Sequence, residues 1–354
     1  MTEVRDGLRV ADRRAIETVE AVILDVGHGN CAVLRDGDRC VIVDAKSDKL
    51  LYRELIASGV RRIEHLVLSH ADSDHIAGAL RLLPNEDFEI GTVWLNADSD
   101  KDSLKWHELL VLLSQLTRGG RLKTRLGICD QQDWELSLDR VMIDVLHPAL
   151  IDIGHGTGRA GKIRPEMTTN GMSVVLRVLM DGIPALLLPG DLDAAGLEQV
   201  IGRSKDATAH VLVYPHHGGH SGAGSERDFA KQLCEVVDPS VVVFSMGRGS
   251  FHNPLREVVE QIGVSRPEAR VACTQLSPNC HAGDVPAVQP PHLLDRPSAG
   301  AVSSRCCAGS LRIAVRESAL AVSPTPEDHA AWIEGHVDAP MCNPRVWLPQ
   351  PRKA

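Results

Sequence analysis

Between residues 20 and 275 the chain repeats one pattern, a short apolar run closed by Gly, Pro, Asp, Asn or His. EAVILDV (20–26), CAVLRDGDRCVIVDA (31–45, two strands around Asp36-Gly37-Asp38), IEHLVLS (63–69) and GTVWLN (91–96) form a first series. RVMIDVLHP (140–148), GMSVVLRVLM (171–180), IPALLLPGD (183–191), HVLVYPHHGG (210–219), SVVVFSMG (240–247) and ARVACTQ (269–275) form a second. Runs of this length with β-branched residues and turn-forming boundaries read as strands. Helical patterns fall at 48–58, 75–83, 102–118, 193–201, 226–236 and 254–262. Two β-rich series with helices between their strands predict an α/β (α+β) protein, two sheets face to face with helices outside, an αββα sandwich.

The division follows from composition. Residues 1–19 read as an N-terminal extension and 20–275 as one domain containing both series. Residues 276–308 shift to Pro, Gly, Ser, Cys and His, as in an insertion. LRIAVRE, within 309–322, reads as one final strand, and 323–354 as an irregular C-terminal tail. No apolar stretch is long enough to span a membrane, and no secretory leader is visible at Met1, so the expected setting is cytoplasmic. The nine cysteines are then expected as thiols or metal ligands. A net charge of -9 argues against a protein that coats nucleic acid, and 3% aromatics argue against base stacking as a main binding device.

Chemistry collects where strands end. LVLSHADSDHIAGAL (66–80) places His70, Asp72, Asp74 and His75 within six positions of a buried strand. Ionisable groups crowded into an apolar setting carry a desolvation cost that a cation removes. A solvated turn with Asp74 as a helix cap is the competing reading. Asp191 follows LLLPG, and His216 and His217 follow VLVYP. Together these ligand-type groups exceed the needs of one tetrahedral zinc, so two divalent ions are expected, Zn²⁺ or Mn²⁺.

These residues carry a family resemblance. His70-x-Asp72-x-Asp74-His75 resembles the signature of the metallo-β-lactamase superfamily in its HxDxDH variant, and LLLPGD its bridging-carboxylate element. ILDVGHGNCAVL (23–34), Asn170-x-x-Ser173, YPHHGG and the strand–SMG–HNP pattern resemble the hydrolase domain of ComEC, the DNA-uptake channel protein. The resemblance implies the metallo-β-lactamase fold for 20–275 and a ComEC-like, stand-alone hydrolase. It implies that His70 and Asp72 hold one metal, that Asp74, His75 and His217 hold the second, and that Asp191 bridges them. Asp74, Asp191 and His216 would carry the catalytic roles, His216 facing the substrate. Asp25, Asn30, Asn170, Ser173 and His252 would orient ligands or face substrate, with turn and capping chemistry as their alternative. DVGHGN departs from the family's DVGQGD at His28 and Asn30. ComEC's membrane channel has no counterpart in this sequence, so DNA import does not carry over.

The expected reaction is phosphodiester hydrolysis, as by a DNA or RNA nuclease, through a hydroxide shared by two ions about 3.5–4 Å apart. The alternatives are another ester class (phosphocholine, cyclic nucleotide, lactone or thioester) and a partner-gated effector subunit of a bacterial defence system, a role that stand-alone relatives suggest. Two other features stand apart. GTGRAGKI (156–163) imitates a phosphate loop but has Ile163 where Ser or Thr is needed; Arg159, Lys162 and Arg164 read as a basic loop. Cys273, Cys280, His281, Cys306 and Cys307 cluster as a separate structural zinc site or as buried thiols. Cys31, Cys40, Cys129, Cys234 and Cys342 read as structural.

Overall fold

The computed structural model describes residues 19–347 except 97–100, 133–134, 159–160, 162–165, 204, 223, 250, 284–289, 294–296 and 302–304. Residues 1–18 of the N-terminal extension, the basic loop residues Arg159, Lys162 and Arg164, and the end of the tail therefore lie outside the described residues.

The first series gives β1 (Val19–Ile23), β2 (Ala32–Asp36), β3 (Arg39–Val43), α1 (Asp48–Ala57) and β4 (Arg62–Leu68). α2 (Ser73–Ile76), α3 (Ala79–Leu82), β5 (Glu89–Leu95), α4 (Leu104–Arg118) and β6 (Lys123–Leu126) follow. The second series gives β7 (Val141–His147), α5 (Leu150–His155), β8 (Val175–Met180), β9 (Ile183–Leu188), α6 (Ala194–Gly202) and β10 (Val211–Val213). It continues with α7 (Glu226–Val237), β11 (Val241–Phe244), α8 (Arg256–Ser265) and β12 (Arg270–Cys273). The chain closes with β13 (Leu311–Arg316), β14 (Ala319–Ser323) and α9 (Pro326–His336).

One sheet runs β14-β13-β1-β2-β3-β4-β5-β6 and the other β12-β11-β10-β9-β8-β7. Strand alternation builds the layers. Val41 and Val43 of β3 face a core shared with Val211 and Val243 of the opposite sheet. Cys40 and Ile42, which alternate with them in sequence, face outward onto Leu51 and Leu55 of α1. Val242 and Phe244 pack outward onto Leu233 of α7 and Ile262 of α8. Helix, sheet, sheet and helix thus form the expected αββα sandwich of the metallo-β-lactamase fold.

Three local expectations change. The predicted helix over 75–83 is two short ones, because the Gly78 N–H donates out of the helix to the Ala45 carbonyl at 2.6 Å. The final strand is a hairpin: β14 pairs antiparallel with β13 and becomes the sheet edge. The tail is not irregular. The Thr325 side chain caps α9, Pro326 occupies its first turn, and Trp332 and Ile333 enter the core behind the second sheet. β3 and β4 are parallel neighbours, as are β9, β10, β11 and β12. Their carboxyl ends are where open α/β sheets place functional loops. No helix among the described residues is long and apolar enough to cross a membrane.

Candidate metal centre

Asp44 directly follows β3, and its main chain is tied to β4 through its N–H and the Val67 carbonyl, 2.8 Å. It is 1% exposed. Its carboxylate accepts from the Ser69 N–H and hydroxyl, both at 2.8 Å, and from His75 Nδ1 at 2.6 Å. With Nδ1 committed, His75 presents Nε2 on the other side, 3.4 Å from Asp191 Oδ1. His70 repeats the device, with Nδ1 3.1 Å from the Ser69 hydroxyl and Nε2 3.9 Å from Asp191 Oδ2. His217 repeats it again. Its Nδ1 donates to the Ser245 carbonyl at 2.7 Å, and its Nε2 lies 3.3 Å from Asp74 Oδ2 and 3.7 Å from Asp191 Oδ2. Buried acceptors that fix one ring nitrogen and aim the other are the usual support of metal-ligating histidines.

Several ring and carboxylate atoms at this point lack protein partners. Nε2 of His70, His75 and His216 and Oδ1 of Asp191 are buried without a hydrogen bond. Such atoms cost about 1–3 kcal/mol each unless something satisfies them. Ligand atoms of Asp74, His75, Asp191 and His217 lie within 4.8 Å of one another, and the described residues contain one such group. The field favours a cation. Burial alone would lower the His75 imidazole, yet Asp44 and Asp191 hold it well above its ordinary value. Burial alone would raise Asp191, yet His217, His75 and His70 hold it well below the carboxylate range. His70 is pushed down to about 4, by burial first and His75 second, so it stays neutral with its Nε2 lone pair available. The donor set therefore fits divalent metal. Asp74, His75, His217 and Asp191 could hold one ion, and His70, Asp72 and Asp191 could hold another.

The other expected residues occupy distinct places. Asp72 sits at the rim, its side chain 32% exposed, with Oδ2 3.9 Å from His70 Nε2 and Oδ1 paired to Lys101. His216 lies with Nδ1 3.9 Å from Asp191 Oδ2. His216 and His217 both have left-handed backbone, φ 50° and 56°, which turns both rings off the end of β10. The Ser173 hydroxyl accepts from the Asp191 N–H at 3.2 Å, and the Asn170 carbonyl accepts from Ser173 N–H at 3.0 Å. The Asn30 N–H reaches the Asp74 carbonyl at 3.3 Å. Asp25 is engaged instead by Gln275 and Gly300, each at 2.8 Å, and by Ser298. It thereby ties down Ser298 and Gly300, and its N–H donates to the Ser310 hydroxyl at 2.9 Å. His252 is exposed, and its carbonyl accepts from Asn279 at 2.8 Å.

The five residues expected around a separate zinc are divided. Cys306 lies 3.3 Å from Asp25 Oδ2, whereas Cys307 faces His329 Nε2 at 3.2 Å. Cys273, Cys280 and Cys307 line a small cavity with Cys342, and His281 pairs with Asp338 at 3.0 Å. Cys306 sits in an isolated bridge with Gln275, and the chain bends at Cys307, so the two thiols meet different surroundings. Sequence reasoning passed over Asp44, Ser69, Ser245 and Lys101. Asp44 had the same signal as Asp191, a carboxylate ending an apolar strand (CVIVDA).

The family model of the metallo-beta-lactamase superfamily matches residues 24–237. The chain belongs to this superfamily. It is 28% identical over 245 residues to competence protein ComA of Neisseria gonorrhoeae, covering 67% of this chain and 28% of that protein. It is 26% identical over 218 residues to ComE operon protein 3 of Bacillus subtilis, covering 60% of this chain and 24% of that one. The chain thus spans about a quarter of the length of these curated relatives. Among solved structures it is similar to the metallo-beta-lactamase fold protein YhfI from Bacillus subtilis, at TM-score 0.45 and 14% identity, covering 72% of this chain and 96% of that one. The metallo hydrolase Igni18 from Ignicoccus hospitalis aligns at TM-score 0.42 and 17% identity, covering 72% and 94%. The chain is thus a metallo-β-lactamase-superfamily protein with weak homology to ComA and ComE operon protein 3, a ComEC-like likeness.

Proposed function

We propose that this chain is a dinuclear metal-dependent phosphodiesterase, acting as a nuclease on DNA or RNA. One observation carries the reading. The two oxygens of Asp191 lie 3.4–3.9 Å from ring nitrogens of His70, His75, His216 and His217, the position of a carboxylate shared by two ions. Divalent ions, zinc or manganese, would lower the pKa of a water and neutralise charge on the phosphoryl group. Asp74, His75, His217 and Asp191 would hold one ion, and His70, Asp72 and Asp191 the other. Asp74 and Asp191 would supply the negative charge that keeps both ions in place. His216 is not anchored through Nδ1 as its neighbour is, and faces the substrate phosphate. Lys101 on Asp72 adds a cation at the rim that favours an anionic diester.

The likeness to the ComEC hydrolase domain supports nucleic acid as the source of the diester. The nine unpaired cysteines support a cytoplasmic setting. The net charge of -9 favours a second reading, in which a small diester, or one delivered by a protein partner, is the substrate. The test is incubation with Mn²⁺ or Zn²⁺ and linear DNA, plasmid, RNA, cyclic nucleotides and phosphocholine esters, with Asp191→Ala as control. Cleavage of nucleic acid that the variant loses supports the nuclease. Cleavage of cyclic nucleotides or phosphocholine esters alone selects the second reading. Wild-type protein that binds no metal refutes the scheme.

A further inference from the structure

His28, one of the two departures from the family motif, forms a wall between the metal centre and a neighbouring pocket. Its Nε2 lies 3.8 Å from Asp74 Oδ2, and its ring centroid is 4.3 Å from that of His217. The opposite side of the ring stacks on Phe251, with centroids 4.6 Å apart and planes 21° from parallel. Gly247 allows this arrangement, since a Cβ there would fall 2.4 Å from the His28 nitrogen. The pocket beyond has a volume of about 320 Å³ and is lined by Gly27, His28, Arg248, Phe251, Gln275 and Arg305, among others. That volume lies at the small end of ligand sites.

The walls combine two chemistries. Phe251, 55% exposed, is one of four phenylalanines in the chain and stands open beside the candidate centre. Arg248 and Arg305 add positive charge. The Arg248 guanidinium donates to the carbonyls of Leu276, His281 and Gly283 at 3.1, 2.7 and 3.0 Å, and Arg305 donates to the Arg248 carbonyl at 3.3 Å. Burial first, and then the repulsion of Arg305, lower the Arg248 guanidinium. Neither arginine has a carboxylate partner among the described residues. In a chain of net charge -9, two adjacent cations left uncompensated form a local anion site.

An aromatic face, a cation pair and a shared wall with a hydrolytic centre suit one ligand class. We propose that the pocket is a nucleotide subsite. The base of the residue next to the scissile phosphate stacks on Phe251, and Arg305 and Arg248 take the adjoining phosphate. Only an unstacked base can use such a ring, so the preferred substrate is an unpaired strand or strand end rather than intact duplex. The aromatic scarcity of the chain limits this device to a single base. The kinetic part of this inference rests on the phosphodiesterase reading above; the binding part does not.

The experiment compares manganese-loaded wild type, Phe251→Ala, Phe251→Trp and Arg305→Ala. It measures kcat and KM for thymidine 5′-(p-nitrophenyl phosphate) and bis(p-nitrophenyl) phosphate, and calorimetric binding of a phosphorothioate-linked thymidine dinucleotide. Wild type is expected to prefer the nucleoside ester. Phe251→Ala is expected to cut that preference about 5- to 100-fold, mainly through KM, whereas Phe251→Trp retains it. Arg305→Ala should weaken dinucleotide binding and make it less sensitive to salt. Hydrolysis of both esters without preference, or a preference that survives Phe251→Ala, overturns the subsite and leaves the phosphodiesterase standing. If neither ester is hydrolysed, dinucleotide binding that Phe251→Ala weakens still supports the subsite, and absence of wild-type binding overturns it.

Discussion

Asp44→Asn removes one charge from the hydrogen-bond system that aims His75 and leaves the backbone able to keep its shape. Asp44 has φ 60°, a left-handed conformation that asparagine also tolerates. The carboxylate accepts from three donors: Ser69 N–H, the Ser69 hydroxyl and His75 Nδ1. A carboxamide must turn its NH₂ toward at least one of them, so one bond is lost. The bond to His75 also loses its charge assistance. Loss of a hydrogen bond to a charged group is worth about 1.5–3 kcal/mol. Transmitted to the metal, that is about 10- to 100-fold in affinity. Competition with a chromophoric chelator at pH 7 measures the affinity, and circular dichroism with a melting curve confirms the fold. A folded Asp44→Asn protein that binds metal within about twofold of wild type would show that Asp44 merely ties β3 to β4.

Further consequences are measurable. On the proposed dinuclear reading, Asp191→Ala should bind less metal than wild type and lose on the order of 10³-fold in diester turnover, since a carboxylate shared by two ions would contribute several kcal/mol; elemental analysis and kinetics report the two effects separately. Gly218→Ala should destabilise the protein by about 2–4 kcal/mol in urea unfolding, because φ is +80° and the new methyl falls 2.5 Å from Pro254 Cβ and 2.6 Å from Phe244 Cδ1. His147 predicts a pH effect. Burial chiefly lowers its imidazole from 6.5 to about 4, and Nε2 donates to the Gly171 carbonyl at 2.6 Å while Nδ1 faces Arg203 at 3.1 Å. The unfolded chain therefore takes up the proton first, so stability falls as pH drops from about 6.5 to about 4. Urea midpoints across that range should decline, and His147→Gln should flatten the decline.

Much of the framework was legible in local pattern. The continuous apolar runs in CVIVDA and SVVVFSMG, closed by turn-forming residues, mark strands buried on both faces, because run length and composition are properties of neighbouring residues. HADSDH, Asp191 and the 216–217 pair were visible as strand-end clusters for the same reason. The α9 cap is equally local in Thr325-Pro326-Glu327-Asp328, where Pro326 serves as a first-turn residue and not as a breaker.

What the sequence by itself determined is therefore the layered fold and the inventory of candidate ligands, both written in short-range spacing. Which atoms converge was decided by tertiary structure. His75 and His217 receive their orientation from partners on other loops, Asp44 and Ser245, whereas His70 leans on its chain neighbour Ser69, which Asp44 holds in turn. His216 and His217 share a left-handed backbone, but only His217 has its Nδ1 held by the Ser245 carbonyl, 28 residues away in sequence, a contact that local spacing does not show. Cys306 and Cys307, adjacent in sequence, part toward Asp25 and His329 respectively. The pocket at His28 and Phe251 joins residues more than 200 positions apart, and the packing of the two sheets brings them together. Long-range contact depends on that packing, which local spacing does not encode.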